Sequence, residues 1–173
     1  MEIAALLKSK DIKSKEKVSL LARALLSNEI TPDALIDHAA TAKDTEKADC
    51  IEAIELASKA NPHIGSEKLF HFVVDSLSCK AARVKWESAK VIGNIAHLYP
   101  KKLDKAIVSL LINSEDKGTV VRWSAAYALG EIIKLRTLNN KELLPAVESI
   151  VKREEKNSIR KIYLDAVKEA SKF

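Results

Sequence analysis

A chain of 173 residues with a formal net charge of +5 has the length for one domain with a real core. Its composition, 47% hydrophobic and 31% charged with only four Gly, four Pro and 5% aromatic residues, favours helices joined by short connections. No stretch alternates apolar and polar residues long enough to argue for a sheet, and no run approaches the roughly 18–20 apolar residues of a membrane span.

The N-terminal stretch "MEIAALLKSK" has an apolar core too short for a signal peptide, so residues 2–8 are expected to form a short helix. A longer helix is anchored on Val18. Thr31-Pro32 then supplies an N-cap followed by proline at the first helical position, where its missing N–H costs nothing. "TPDALIDHAATAK" leads to a helix anchored on Ala48, with Asp44 as its expected cap. Ser66 caps "SEKLFHFVVDSL", which precedes a helix anchored on Val84. Tyr99-Pro100 is expected to restart a helix. In "KKLDKAIVSLLIN", Leu103, Ala106, Ile107, Leu110 and Leu111 share one stripe, and the helix anchored on Val121 follows. "NKELLPAVESIVK" carries Leu143, Leu144, Val147, Ile150 and Val151 on its stripe, with Asn140 as expected cap. Pro145 within it should bend the helix or delay its start. A last helix is anchored on Ile159.

The anchors Val18, Ala48, Val84, Val121 and Ile159 are spaced by 30, 36, 37 and 38 residues, the signature of stacked supersecondary units. The units fall approximately at 1–30, 31–62, 63–99, 100–138 and 139–173, all within one domain. One helical hairpin cannot bury both of its apolar stripes, but stacked neighbours can. The expected fold is therefore an all-α superhelix, a solenoid of about five helical hairpins and roughly ten helices, each touching only the next. The segment "NSIRKIYLDAVKEASKF" suits a terminal unit with a more polar outer face.

"VRWSAAYALGEI" (residues 121–132) resembles the second helix of a HEAT repeat, V-R-x-A-A-A-x-A-L-G-x-I, and "ELLPAV" resembles the first helix of such a repeat, proline included. Residues 84–95 keep Val84, Ala89, Ile92, Gly93 and Ile95 but carry Lys85 in place of Arg. Residues 159–170 keep Ile159 and Arg160. The first two units match by periodicity only, with Ser19 and Asp49 where the basic residue belongs. Asp116 stands six residues before Arg122, and Glu154 six before Arg160, as an acidic residue does in that family. The resemblance implies that the second helices line a concave face, that the acidic/basic pair bridges adjacent units, and that Lys85, Arg122 and Arg160 form a basic ladder. The ladder serves either to tie neighbours together or to contact a ligand. Gly93 and Gly130, each costing about 1 kcal/mol relative to Ala in mid-helix, suit close helix approach.

Only two tryptophans occur, Trp86 and Trp123, at the same point of two matching phrases. With Val121 as position 1 and about 100° per residue, Val121, Ala125, Leu129 and Ile132 form the buried stripe, while Trp123 and Tyr127 point away from it. Trp86 and Lys90 do the same one unit earlier. Aromatic and basic side chains on an exposed strip are of the types enriched at binding hot spots. The alternative is that the two indoles pack on each other or cover neighbouring helices. Leu20, Ala24, Cys50 and Ile54 fall at the equivalent positions of the first two units, which either extends an apolar groove or means that the register slips there.

Catalytic motifs are not evident. His38, His63, His71 and His97 share no metal-ligand spacing and none is followed by Glu; no G-x-G-x-x-G or G-K-[ST] occurs. No metal and no cofactor is expected. Cys50 and Cys79 carry no C-x-x-C, which points to a reducing, cytoplasmic setting. Charge is unevenly spread: residues 31–78 carry 4 Lys/Arg against 9 Asp/Glu, residues 79–173 carry 19 against 11. The basic half either serves to attract nucleic acid or an acidic protein, or is a solvated surface whose asymmetry has no partner behind it. The reading is a non-catalytic interaction module for a protein or peptide partner, with no membrane contact. Its alternative is a nucleic-acid-binding solenoid, at the far end of which stand the HEAT-like DNA glycosylases.

Overall fold

In the computed structural model, which describes residues 2–172, ten α-helices and two short 3₁₀ turns (Pro62–Ile64 and Ala96–Leu98) follow one another along the chain. They are α1 (Ile3–Lys8), α2 (Ser14–Leu26), α3 (Pro32–Thr41), α4 (Asp44–Ala60), α5 (Glu67–Ser76), α6 (Ala82–Ile95), α7 (Asp104–Asn113), α8 (Thr119–Lys134), α9 (Asn140–Arg153) and α10 (Asn157–Ala170). Met1 and the final residue of the terminal segment, Phe173, lie outside the described residues. No strand occurs among the described residues, and none of their helices is long and apolar enough to cross a membrane.

Consecutive helices pair as hairpins, and the hairpins stack. The even-numbered helices α2, α4, α6, α8 and α10 lie side by side in one continuous layer, each making its largest contacts with the even-numbered helices beside it. α3, α5, α7 and α9 each pack on the second helix of their own hairpin. The all-α stacked solenoid expected from the sequence is what forms. Burial follows the stripes: Val121, Ala125, Leu129 and Ile132 are buried, as are Leu103, Ala106, Ile107 and Leu110 of the preceding hairpin half. Leu111, Leu144 and Val151 sit half-buried at the stripe edges. In α10 only Ile159, Tyr163 and Ala166 are buried, so the last helix turns a largely polar face outward, with Leu164 (52% exposed) as its apolar exception.

Local signals set the helix starts, with four corrections. The Thr31 Oγ1 accepts the Ala34 N–H (3.1 Å) and the Ser66 Oγ accepts that of Leu69 (3.0 Å), so both residues are N-caps. Asp44 is instead the first residue of α4, where, with Glu46, its charge favours the positive end of the helix dipole. Asn140 is likewise inside α9, and its Nδ2 donates to the Ile133 carbonyl (2.8 Å), tying α9 to the end of α8. Tyr99-Pro100 does not restart a helix. α7 begins only at Asp104, because Tyr99 is held elsewhere: its hydroxyl donates to the Gly65 carbonyl (2.9 Å) and its ring stacks on Phe70 (4.8 Å). Pro145 delays nothing: α9 starts at Asn140 through a 3₁₀-type turn and runs past the proline to Arg153.

The register of the repeat does slip. Val84, Val121 and Ile159 are each the third residue of their helix, whereas Val18 and Ala48 are the fifth of theirs. A shift of two residues turns a helix face by about 200°. Cys50, Ile54 and Ala24 are accordingly core residues and Leu20 is half-buried; they do not extend a groove. The outward positions fall instead to Arg23 and Leu26 on α2 and to Glu52, Leu56 and Lys59 on α4, with Leu26 and Leu56 each 42% exposed.

Candidate functional site

The second-helix face is built where α4, α6, α8 and α10 lie side by side. On α8 the stripe of small and branched residues faces the core and leaves Trp123 39% exposed, with Tyr127 half-buried one turn later. Their rings stack nearly parallel, centroids 6.0 Å and planes 4° apart. Trp86 on α6 is half-buried, and its Nε1–H donates to the Glu87 carboxylate (2.7 Å). Neither indole is core, and the ring partner of Trp123 is Tyr127, not Trp86.

Lys90 differs from its expected role. Its Nζ lies 2.9 Å from Glu87 and 3.5 Å from Glu55, two carboxylates that are themselves buried. Burial alone would push the Lys90 ammonium down, but the two acids outweigh it and its pKa is raised. For Glu87 burial prevails over the pull of Lys90 and of the Trp86 indole, and its carboxyl is raised. One cation thus serves two anions, leaving the local sum negative. Arg83 on the same helix is consumed likewise, by Asp49 (2.7 Å) and Glu52.

The acidic character continues along the layer. A cleft of about 180 Å³ between α8 and α10 is lined by Tyr127, Gly130 and Ile162 with Glu131, Asp165 and Glu169, against Lys134, which is bonded to Glu131 (2.5 Å). A second cleft of about 290 Å³ opens between α4, α6 and α8, around Ser58, Lys59, Asn94, His97, Tyr127 and Glu131. Much of the basic excess of residues 79–173 sits on other surfaces: Lys102 and Lys105 pair with Glu67 and Asp75 of α5, and Arg153 of α9 pairs with Glu115.

The glycines have different neighbours. A Cβ on Gly130 would lie 3.3 Å from that of Ala166, so this residue permits α8 and α10 to approach closely. A Cβ on Gly93 would lie 2.5 Å from the Tyr127 ring; here the space is taken by a side chain and not by a helix backbone.

Lys85 and Arg122, next in chain to the two tryptophans, send their side chains to acids at the turns between hairpin halves. Lys85 donates to the Asp116 carboxylate of the following unit (2.9 Å). Arg122 donates to Glu154 of the unit after that through Nε (2.9 Å) and Nη2 (3.4 Å). Asp116 and Arg122 are therefore not a carboxylate–guanidinium pair within their unit: Arg122 reaches only the main-chain carbonyls of Asp116 (3.0 Å) and Lys117 (3.3 Å), and the Asp116 carboxylate also accepts the Gly118 N–H (2.8 Å). Burial pushes the Glu154 carboxyl up, but Arg122 and the N–H groups of Lys156 and Glu155 overcome it and hold it below the ordinary range. Asp116 is held low in the same sense by Gly118 and Lys85. Arg160, the expected third rung, has its Nε buried without a partner.

His38 bonds Glu46 (2.7 Å) and His71 lies 3.4 Å from Glu67, while His63 and His97 are exposed; no group of potential metal ligands occurs among the described residues. Sequence reasoning missed Glu55, Ser58, Glu87 and Asn94. Each is a polar residue next to an apolar stripe, and no local signal shows which neighbouring helix it will meet.

No protein-family model and no curated protein matches the sequence. Among solved structures the chain is similar to the designed armadillo repeat protein YIII(Dq)4CqI, with a TM-score of 0.69 and 16% identity, over 97% of this chain and 80% of that one. It is also similar to the designed armadillo repeat protein YIII(Dq.V1)4CPAF in complex with peptide (KR)4, with a TM-score of 0.71 and 18% identity, over 97% and 79%. At this identity the likeness is one of fold. The chain thus has the fold of an armadillo-like α-solenoid, built from stacked helical hairpins.

Proposed function

We propose that the protein is a non-catalytic scaffold that binds an extended peptide along the concave, second-helix face, and that the peptide carries Lys or Arg side chains. Within the armadillo/HEAT class we read it as the HEAT variant, on the phrase at residues 121–132. The observation that carries the functional reading is the aromatic strip: Trp86, Trp123 and Tyr127 stand partly exposed on adjacent helices. Tryptophan and tyrosine so placed offer large contact area at low entropic cost, and indole faces attract cations. The carboxylates around them, Glu52, Glu87, Glu131, Asp165 and Glu169, complement a basic ligand. The (KR)4 peptide in complex with one of the similar designed proteins is of that chemistry. Lys90 then acts by cancelling part of this negative charge instead of meeting an anion. The same carboxylates oppose the phosphate contacts on which nucleic-acid binding depends, so that reading draws no support from this face. The free thiols of Cys50 and Cys79 fit a reducing, cytoplasmic setting.

The test is a calorimetric titration with a (KR)4 octapeptide and, as control, a Glu-rich octapeptide. Wild type should bind the first and not the second. Trp86→Ala/Trp123→Ala should weaken binding at least ~30-fold, as loss of hot-spot residues does, with a melting temperature within a few degrees of wild type. Equal affinity in the folded double variant would overturn the assignment of the strip.

A further inference from the structure

Three successive second helices meet in one polar network under the aromatic strip. The Tyr127 hydroxyl (α8) donates to Asn94 Oδ1 (α6) at 2.7 Å. Asn94 Nδ2 donates to the Ser58 Oγ (3.0 Å) and to the Glu55 main-chain carbonyl (3.2 Å), both on α4. The Ser58 hydroxyl gives its own proton to that same carbonyl (3.1 Å). The directions are determined by chemistry. A main-chain carbonyl only accepts, so the amide nitrogen must face Glu55, the amide oxygen must face Tyr127, and the phenol must be the donor. Both Asn94 N–H groups are thereby used within the chain, its oxygen accepts the Tyr127 hydroxyl, and no N–H of this amide is left to offer a ligand.

The same tyrosine is located from below. Its ring lies over Gly93, where any Cβ would come within 2.5 Å of Cε1 and 2.8 Å of Cδ1. Gly93 opens the space and Asn94 fixes the far end of the ring. Trp123, one turn before Tyr127, then stacks on the ring so fixed. Burial raises the phenol to about 12, with Glu131 and Glu55 adding to the effect, so it remains a hydrogen-bond donor throughout the physiological range.

We infer that Asn94 is the positioning residue of the aromatic strip: it holds Tyr127, and through Tyr127 the indole of Trp123, in the place where a ligand meets them. The positioning stands on the geometry alone; its effect on affinity rests on the peptide-binding reading proposed above. Because the amide also ties α6 to α4, it links the strip to the spacing of three units.

Two measurements test it. In a Trp86→Phe chain, where Trp123 is the only tryptophan, Asn94→Ala should shift Trp123 emission to the red and raise its quenching by acrylamide. In the chain retaining both tryptophans, Asn94→Ala and Tyr127→Phe should each weaken (KR)4 binding roughly two- to tenfold, the worth of one hydrogen bond. The double variant should lose no more than the weaker-binding single variant, since both remove the same bond. Unchanged emission and quenching in folded Asn94→Ala overturns the inference, and so do additive losses of affinity. If wild type does not bind (KR)4, the peptide reading fails and the emission measurement alone decides the positioning. If Asn94→Ala does not fold, Tyr127→Phe, which keeps the ring and removes only the hydroxyl, carries the same emission test.

Discussion

Replacing Arg122 by alanine removes a guanidinium that crosses from the fourth hairpin to the fifth. The Glu154 side chain it leaves behind is 4% exposed and retains main-chain N–H donors such as that of Lys156 (2.9 Å). Breaking a fully buried pair costs about 3–5 kcal/mol. Here Arg122 itself keeps 19% of its side chain in contact with water, so screening lowers the expected cost to about 2 kcal/mol. The Lys85–Asp116 rung, with both side chains 20% exposed and a single ammonium donor, should be worth only about 0.5–1 kcal/mol. Urea denaturation of the two alanine variants reads both values and their order. Arg122→Lys should recover only part of the loss, because an ammonium cannot make both contacts to Glu154. The pH dependence has a definite sign. Glu154 is depressed in the folded state, so its contribution is present above its unfolded value, near ~4.3, and is lost as pH falls through the folded value. The stability gap between wild type and Glu154→Gln should therefore be full near neutrality and close in acid. A folded Arg122→Ala protein as stable as wild type, yet impaired in ligand capture, would refute the structural role and make the ladder a contact surface.

Leu129→Ala should cost about 2–5 kcal/mol, as buried Leu→Ala changes do: Leu129 is 0% exposed at the centre of the α8 stripe. An unchanged melting temperature would contradict that packing. Cys50 should resist a thiol reagent in the native state, because burial, with the Glu46 and Asp49 charges adding, raises its thiol to about 12. Cys79 is only partly buried, so mass spectrometry after brief labelling at pH 8 should find one modified thiol, and labelling at Cys50 would show an opening of α4.

Much of the architecture is written in short stretches of this sequence. Helix formation, the Thr31 and Ser66 caps and the stripe Val121–Ala125–Leu129–Ile132 depend on residues one to four places apart, and such spacings can be read without the fold. The same periodicity also put Trp123 and Tyr127 on the outward side of α8. Where the repeat matches well, in α6 and α8, the side that periodicity turns away from the stripe is the less buried one. In α2 and α4 the faces turn over, because the anchors sit two residues deeper in their helices and periodicity does not reveal where a helix starts. The sign of the charge around the strip was decided only by tertiary structure. Lys90 looks like a free cation in sequence, but Glu55, 35 residues earlier on the neighbouring helix, helps neutralise it. Asp116, six residues before Arg122, pairs its carboxylate instead with Lys85, 31 residues upstream. Such partners are chosen by the rotation and rise between stacked helices, and these are set by how stripes pack across the units, to which the spacing along any one helix is blind.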